Sequence, residues 1–170
     1  IYLDISRDDV YDSRNTMSVI GSTSSQKDME VTKVDNFTDI VSLISKRCRI
    51  PLTVGGKIRT IEDVRIRLKN GADKISINTQ ALDDPYFVEK IAKTFGSQCV
   101  VVSIDVKYDK DLKKWEVFSG FGKKGTGLDP VVWAEKVEKM GAGEILIQSI
   151  DRDGSGLGYD LHLIKNVKQS

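Results

Sequence analysis

The sequence predicts an α/β protein in which strands and helices alternate and the parallel sheet curves into an incomplete β/α barrel. Three observations support this fold class: short unbroken apolar runs, helical segments between them, and polar residues clustered where the runs end. Unbroken apolar runs are typical of parallel strands that are covered on both faces. Strands joined through helices form right-handed parallel units, either in an open doubly wound sheet or in a closed barrel.

Five apolar runs are predicted to be strands, and they span residues 1–5, 51–55, 74–78, 99–106 and 144–150. The first run starts without any lead-in, so we expect the chain to begin inside a domain. Thr60 opens a helix with a capping-box pattern, and Asp84-Pro85 and Asp129-Pro130 open two more. Glycines 71, 96 and 141 close these helices.

An internal repeat favours the barrel over the open sheet. Residues 71–77 (GADKISI) resemble residues 141–147 (GAGEILI), and each segment takes a helix end directly into a strand. Repetition of one β/α unit suits a barrel built from similar parts. The open-sheet alternative lacks the glycine fingerprint expected after its first strand.

Two segments interrupt the alternation, within what is otherwise one partial barrel domain over residues 1–170. Residues 7–36 are polar and contain Ser-Thr-Ser-Ser, which predicts a flexible insertion, with a functional lid as the alternative. Residues 107–126 predict a β-hairpin that overhangs the active face, because alternating residues there follow the fourth apolar run directly.

Composition excludes several classes of function. The 26 basic and 25 acidic residues nearly cancel, so nucleic acid is not an expected partner. We expect no membrane association, since no apolar run has the length of a bilayer span, and the absence of a signal peptide predicts a cytoplasmic protein. Cys48 and Cys99 lie far apart and the chain has one histidine, so we expect reduced thiols and no metal site.

Asp105 is the strongest candidate for a catalytic residue. It ends the buried run 100–104, where a carboxylate is costly unless it faces a polar site or a partner. The pKa of such a group can be tuned for proton transfer. The alternative is a structural acceptor for a neighbouring loop, and that is the reading we favour for Asp4, at the corresponding place in the first strand.

Polar pairs after three other strands suggest a phosphorylated ligand, since glycine and helix N-termini let backbone N–H groups approach an anion. These pairs are Gly55-Gly56, Asn78-Thr79 and Asp153-Gly154. Tight-turn chemistry is the alternative. Lys74 and Glu144 begin two strands at the opposite end, where buried charges would have to pair; independent charges on the rim are the alternative.

Several motifs, in the same order, resemble the cyclase subunit of imidazole glycerol phosphate synthase. They lie at residues 51–56, 71–79, 95–98, 102–105, 141–146, 149–154 and 158–160. The resemblance runs from about residue 48 to the end, with a short piece at 1–5. That family folds as an eight-stranded TIM-type (β/α)8 barrel, of which the comparison implies that this chain carries strands two to six.

The resemblance also implies an activity. The family joins ammonia to a phosphoribulosyl-formimino aminoimidazole-carboxamide ribonucleotide and releases imidazole glycerol phosphate and the aminoimidazole-carboxamide ribonucleotide. A glutaminase subunit supplies the ammonia through the barrel, and no metal or organic cofactor is needed. Because five strands make an incomplete barrel, we expect this chain alone to be inactive.

Residue roles follow position by position from the same resemblance. Asp105 matches one of two catalytic aspartates, and the other lies on the family's strand one. The substrate-binding positions, mostly around a phosphate, are matched by Asn78, Thr79, Asp153 and Gly154. Lys74 and Glu144 match half of the charged residues that form the family's gate for ammonia. Asp73 matches a residue that docks the glutaminase.

Three departures from the family pattern leave other functions open. Lys57 replaces the third glycine after the family's strand three, Gln148 replaces a threonine near the catalytic centre, and the segment 7–36 is longer than the family's loop. One alternative is the cyclase-like barrel of surface-polysaccharide biosynthesis, which works in forming acetamidino sugars. The other is an inactive fragment that only docks a partner.

Overall fold

The computed structural model describes the backbone of residues 2–3 and the chain from residue 36 to residue 169. The strands are β1 (Tyr2–Leu3), β2 (Thr53–Gly55), β3 (Lys74–Ile77), β4 (Val100–Asp109), β5 (Lys114–Ser119), β6 (Lys124–Gly125) and β7 (Glu144–Ser149). The helices are α1 (Phe37–Arg47), α2 (Ile61–Lys69), α3 (Thr79–Asp83), α4 (Tyr86–Phe95), α5 (Pro130–Lys139) and α6 (Leu161–Gln169), with a 3-10 turn at Ser97–Cys99.

Five strands run parallel in the order β1, β2, β3, β4, β7, so strands joined by a β/α crossover are also neighbours in the sheet. This neighbour-to-neighbour order is that of a β/α barrel, whereas a doubly wound sheet reverses direction at a switch point. Over the described residues the parallel part of the sheet is open, with β1 and β7 at its edges. The predicted fold class, an incomplete β/α barrel, is confirmed.

Strand β4 shows how the sheet divides its two faces. Val100, Val102, Ile104 and Val106 are buried in the apolar core together with residues of the helices. Because side chains alternate along a strand, Val101, Ser103 and Asp105 lie on the other face, which corresponds to the barrel interior. This alternation places Asp105 on the inner face, toward the carboxyl end of the strand.

The helices begin and end largely where the sequence predicts. Thr60 and Asp63 form a reciprocal capping box at the start of α2, and the Asp129 carboxylate accepts from Val131 N at 2.8 Å at the start of α5. Gly71 and Gly141 take φ values of 101° and 99°, so the two repeated segments leave their helices through the same left-handed turn. The short helix α3, which the sequence did not predict, follows β3 immediately.

The segment 107–126 contains a hairpin. Strand β4 continues to Asp109 and pairs antiparallel with β5, which pairs antiparallel with β6. In the turn between β5 and β6, Gly120 N donates to Thr79 Oγ1 at 3.4 Å, so this segment reaches the carboxyl end of β3. The predicted insertion at 7–36 and Asp4 lie outside the described residues, apart from Asn36, which caps α1.

Candidate active site

Asp105 occupies a position in β4 that is paired on both sides. Its Cα partner is Gln148 in β7 on one side and Phe118 in β5 on the other. The side chain is partly buried. The carboxyl group is therefore held on the best-connected strand of the sheet, at the end where the loops of neighbouring strands converge.

The surroundings of Asp105 raise the pKa of its carboxyl group. Burial is the main cause, because desolvation disfavours the charged form. A hydrogen bond with the Asn78 side chain acts in the opposite direction, and the negative charge of Asp153 raises the pKa further. A carboxyl group with a raised pKa holds its proton to a higher pH than an ordinary aspartate, which favours a role in proton transfer.

Asn78 lies at the end of β3 and precedes α3 without capping it through its side chain. Its side chain hydrogen-bonds to Asp105, while its Oδ1 atom is buried and has no hydrogen-bond partner. A buried acceptor without a partner is uncommon and costs free energy. Asn78 therefore presents an unused acceptor beside the candidate catalytic carboxyl group.

Gln148 connects Asp105 to the loop after β7. Its Nε2 atom donates to Asp153 Oδ2 at 2.8 Å, so the Gln148 side chain restrains the carboxylate of Asp153. Farther along this loop, the Arg152 guanidinium donates to the carbonyl oxygens of Leu157 and Tyr159. The end of β7, the loop and α6 border an open cavity of about 280 Å³ that Gln148, Asp153 and Gly154 help to line.

The turn after β2 has a left-handed backbone at two consecutive residues. Gly56 has a φ of 92° and Lys57 a φ of 51°. A left-handed conformation costs a residue with a side chain roughly 1–2 kcal/mol. Position 57 therefore has the geometry of the glycine that the resemblance predicts there, although a lysine occupies it.

The amino ends of the strands carry a second set of charges. The Lys74 ammonium and the Glu144 carboxylate form an ion pair across the inner face. Asp73 is engaged with its own chain, because its Oδ2 atom accepts from Leu52 N at 2.7 Å and its N–H donates to Leu52 O at 2.8 Å. These contacts give Asp73 a structural role at the start of β2.

The structure thus groups Asp105, Asn78, Gln148 and Asp153, places the Gly55-Gly56 turn two strands away on the same rim, and leaves Lys74 and Glu144 at the opposite end. Sequence reasoning overlooked Arg67, which is only 8% exposed and donates from Nη2 to Gly56 O at 3.4 Å. A signal was available, since Arg67 follows Val64 by three positions on the buried face of α2.

No cluster of three or more histidine, cysteine or acidic residues suited to a metal ion occurs within residues 36–169. Over the same residues, every helix is too short or too polar to cross a membrane.

A parallel sheet with barrel order defines the class of the protein, which is a β/α barrel. Its candidate site lies at the carboxyl ends of the strands, on the face that such barrels use. The model of the family described as "Histidine biosynthesis protein" matches residues 28–170. The chain therefore belongs to the histidine biosynthesis protein family.

Two curated relatives are named imidazole glycerol phosphate synthase subunit HisF. The one from Clostridium botulinum strain Langeland is 52% identical over 132 residues, and the one from strain Okra is 51% identical over 132 residues. These alignments cover 78% of this chain and 52% of each relative. The chain thus spans about half the length of the curated relatives it matches.

Proposed function

We propose that this protein carries out the cyclase step of imidazole glycerol phosphate synthase. In that step ammonia and the phosphoribulosyl-formimino aminoimidazole-carboxamide ribonucleotide give imidazole glycerol phosphate and the aminoimidazole-carboxamide ribonucleotide. The observation that carries the proposal is a partly buried carboxyl group, Asp105, on the active face of a barrel sheet whose sequence is about half identical to two such synthase subunits.

In this proposal Asp105 is a general acid and base during ring closure. Its raised pKa supports the role, since a proton donor and acceptor works best when its pKa approaches the working pH. The Asn78 side chain favours the charged form of the same carboxyl group, which suits the half of the cycle in which Asp105 acts as a base. The unpartnered Oδ1 of Asn78 is available to a donor on the substrate.

The phosphorylated substrate is proposed to bind along the same rim. The binding positions are Gly55, Gly56, Asn78, Thr79, Asp153 and Gly154. The Asp153 carboxylate would repel a phosphate, so we assign it the task of holding Gln148, and we assign phosphate contact to the backbone N–H groups of the turns.

The opposite end of the sheet is proposed to receive ammonia from a glutaminase subunit. The Lys74–Glu144 pair crosses the inner face at the amino ends of the strands. A molecule that entered the barrel at this end would therefore pass it. Docking of the glutaminase near Asp73 is part of the same proposal. We also propose a cytoplasmic setting for this reaction.

The test is the reaction itself, with protein expressed from its complete gene and with ammonium salts as the nitrogen source. We expect turnover of the formimino ribonucleotide, and Asp105→Asn should lower it by at least about a hundredfold, the scale of a lost general acid or base. Asp83→Asn is a matched control, because Asp83 is an exposed carboxylate at the end of α3. Turnover that survives in Asp105→Asn would rule out the assigned role.

A second candidate is the cyclase-like barrel of acetamidino-sugar biosynthesis. Two departures from the cyclase pattern favour it. Gln148, which replaces a threonine, is a longer side chain that donates to Asp153. Lys57 replaces a glycine in the turn after β2. This candidate predicts no turnover of the ribonucleotide by the wild-type protein, and binding to a glutaminase–amidotransferase pair. A partner-docking protein without catalysis predicts no turnover and binding that is indifferent to Asp105→Asn.

A further inference from the structure

We infer that Phe121 is a ligand-binding residue whose ring stacks on the aminoimidazole ring of the substrate. Phe121 belongs to the turn between β5 and β6, which is formed by residues 120–123. The inference deepens the proposed function and rests on it, because it takes the substrate from there and names the part of that substrate that one side chain contacts.

Phe121 is an unusual residue for its place. Its side chain is 79% exposed, so the ring leaves most of its apolar area in water. Its φ is 60°, between Gly120 with a φ of 59° and Gly122 with a φ of 71°. A left-handed backbone carries a steric cost that a third glycine would avoid. Stability alone therefore gives a poor account of a phenylalanine here.

The turn that carries Phe121 is attached to the sheet on two sides. On one side, Gly120 N donates to Thr79 Oγ1 at 3.4 Å, directly after β3. On the other side, a Cβ atom built on Gly122 would lie 3.0 Å from Ile150 Cδ1, so the turn packs against the first residue after β7. The turn thus reaches from the end of β3 to the end of β7, the two parallel neighbours of β4.

The contact with Ile150 also shows on which face of the sheet the turn lies. Ile150 N donates to Val106 O at 2.8 Å, so the ladder between β4 and β7 continues to this residue. Because side chains alternate along a strand, Ile150 falls on the face of Gln148, the Cα partner of Asp105. The turn therefore lies on the inner face, at the strand ends where the candidate catalytic carboxyl group stands.

A planar ring in the substrate needs an apolar surface that the rest of the site does not offer. The groups proposed to contact the substrate are the polar side chains of Asp105 and Asn78 and backbone N–H groups. Aromatic side chains stack on heteroaromatic rings through their π-faces. Glycines on both sides of Phe121 let the turn adjust its backbone, so that the ring closes over a ligand beside Asp105. Strained backbone of this kind often occurs at ligand sites.

The experiment compares two ligands by isothermal titration calorimetry, with protein expressed from its complete gene. The aminoimidazole-carboxamide ribonucleotide carries the ring, and ribose 5-phosphate carries the same sugar and phosphate without it. Phe121→Ala should weaken binding of the ribonucleotide about tenfold, within the range found when the aromatic partner of a stacked base is replaced by alanine. Binding of ribose 5-phosphate should stay within about twofold of the wild type.

Three further variants separate the ring from the fold. Phe121→Tyr keeps the ring and should bind the ribonucleotide within about twofold of the wild type. Phe121→Gly should lose affinity like Phe121→Ala while the melting temperature rises, because glycine relieves the left-handed backbone. Tyr86→Ala removes another exposed aromatic ring, at the start of α4 in the helix layer, and should change neither affinity.

The inference is overturned if Phe121→Ala keeps its affinity for the ribonucleotide, if it weakens both ligands equally, or if Phe121→Tyr binds as weakly as Phe121→Ala. A wild-type protein that does not bind the ribonucleotide overturns it as well. Phe121→Gly decides the matter if Phe121→Ala does not fold. Ring-dependent binding without turnover would count against the proposed function alone, and turnover without any dependence on Phe121 would count against this inference alone.

Discussion

The two ends of the same parallel strands handle charge in different ways. At the amino ends, Lys74 pairs with Glu144 and Asp73 accepts from Leu52 N, so each of these charges has a partner within the chain. At the carboxyl ends, the negative charge of Asp153 adds to burial in raising the pKa of Asp105, and Asn78 leaves a buried acceptor unused. The comparison teaches that the charges at the amino ends are compensated within the chain, whereas the carboxyl ends keep a costly carboxyl group and an unused acceptor, for which the proposed substrate would be the partner.

Replacing Asp105 gives the largest effect and separates the two ends most clearly. Beyond the loss of at least about a hundredfold in turnover, Asp105→Asn should leave the melting temperature unchanged or raise it. The reason is that the folded pKa is raised by burial, so the charged form is disfavoured in the native state. Thermal unfolding at neutral pH measures this, and a clear loss of stability would mean that the carboxylate is structural.

The same raised pKa fixes a pH dependence. A carboxyl group with a raised folded pKa contributes stability that is present below the unfolded value, about 3.9, and is lost as pH rises through the folded pKa. Asp105→Asn lacks this titration. Its stability advantage over the wild type should therefore vanish below about pH 4 and grow as the pH rises.

Gln148→Leu should have the next largest effect. It removes the donor to Asp153 and frees that carboxylate on an exposed loop, so turnover should fall about tenfold, the scale of one buried or functional hydrogen bond. Because Gln148 is exposed, the free energy of unfolding should change by less than about 0.5 kcal/mol. Paired rate and denaturant measurements test this, and an equal loss of stability and turnover would contradict it.

Asp63→Ala tests a carboxylate whose pKa is lowered in the folded protein, whereas that of Asp105 is raised. Burial raises its pKa, but hydrogen bonds from Arg59 N, Thr60 N and the Thr60 hydroxyl outweigh burial and lower it overall. Loss of this capping box should cost about 1 kcal/mol at neutral pH. Denaturant unfolding should show the cost disappearing as pH falls through the lowered folded pKa, while Glu62→Ala next to it serves as an exposed control.

The smallest effect is expected at the amino ends. The Lys74 and Glu144 side chains are 27% and 52% exposed, so solvent weakens their attraction. A double-mutant cycle with Lys74→Met and Glu144→Gln should give a coupling of roughly 0.2–1 kcal/mol. A coupling of zero would show that the amino end is no better compensated than the carboxyl end.

The strand order and helix boundaries were predictable because they depend on local patterns. Buried strands leave unbroken apolar runs, and the capping box at Thr60 and the glycines 71 and 141 mark helix ends through short-range chemistry. The short helix α3 was missed because Asn78 does not cap it with its side chain. The shared position of Lys74 and Glu144 at strand starts left both an ion pair and independent charges open, and the structure shows the ion pair.

The contacts of the candidate site were less predictable because they join distant parts of the chain. Gln148 was noticed as a departure from a family pattern, yet its hydrogen bond to Asp153 depends on how the loop after β7 folds back. Arg67 escaped notice because a charged residue on a helix is usually solvated, and only the packing of α1 against α2 shows that it is buried. The roles of these residues in catalysis and binding stay predictions.

Strand β4 has hydrogen-bonded neighbours on both sides where it carries Asp105. In terms of hydrogen exchange, such a strand opens only with large parts of the sheet, so its amides should be among the slowest to exchange. The loop after β7 and the tip of the hairpin have fewer such bonds and should exchange much sooner. The candidate catalytic carboxyl group would then lie on one of the slowest-exchanging strands among the described residues, while the loops around it open more readily.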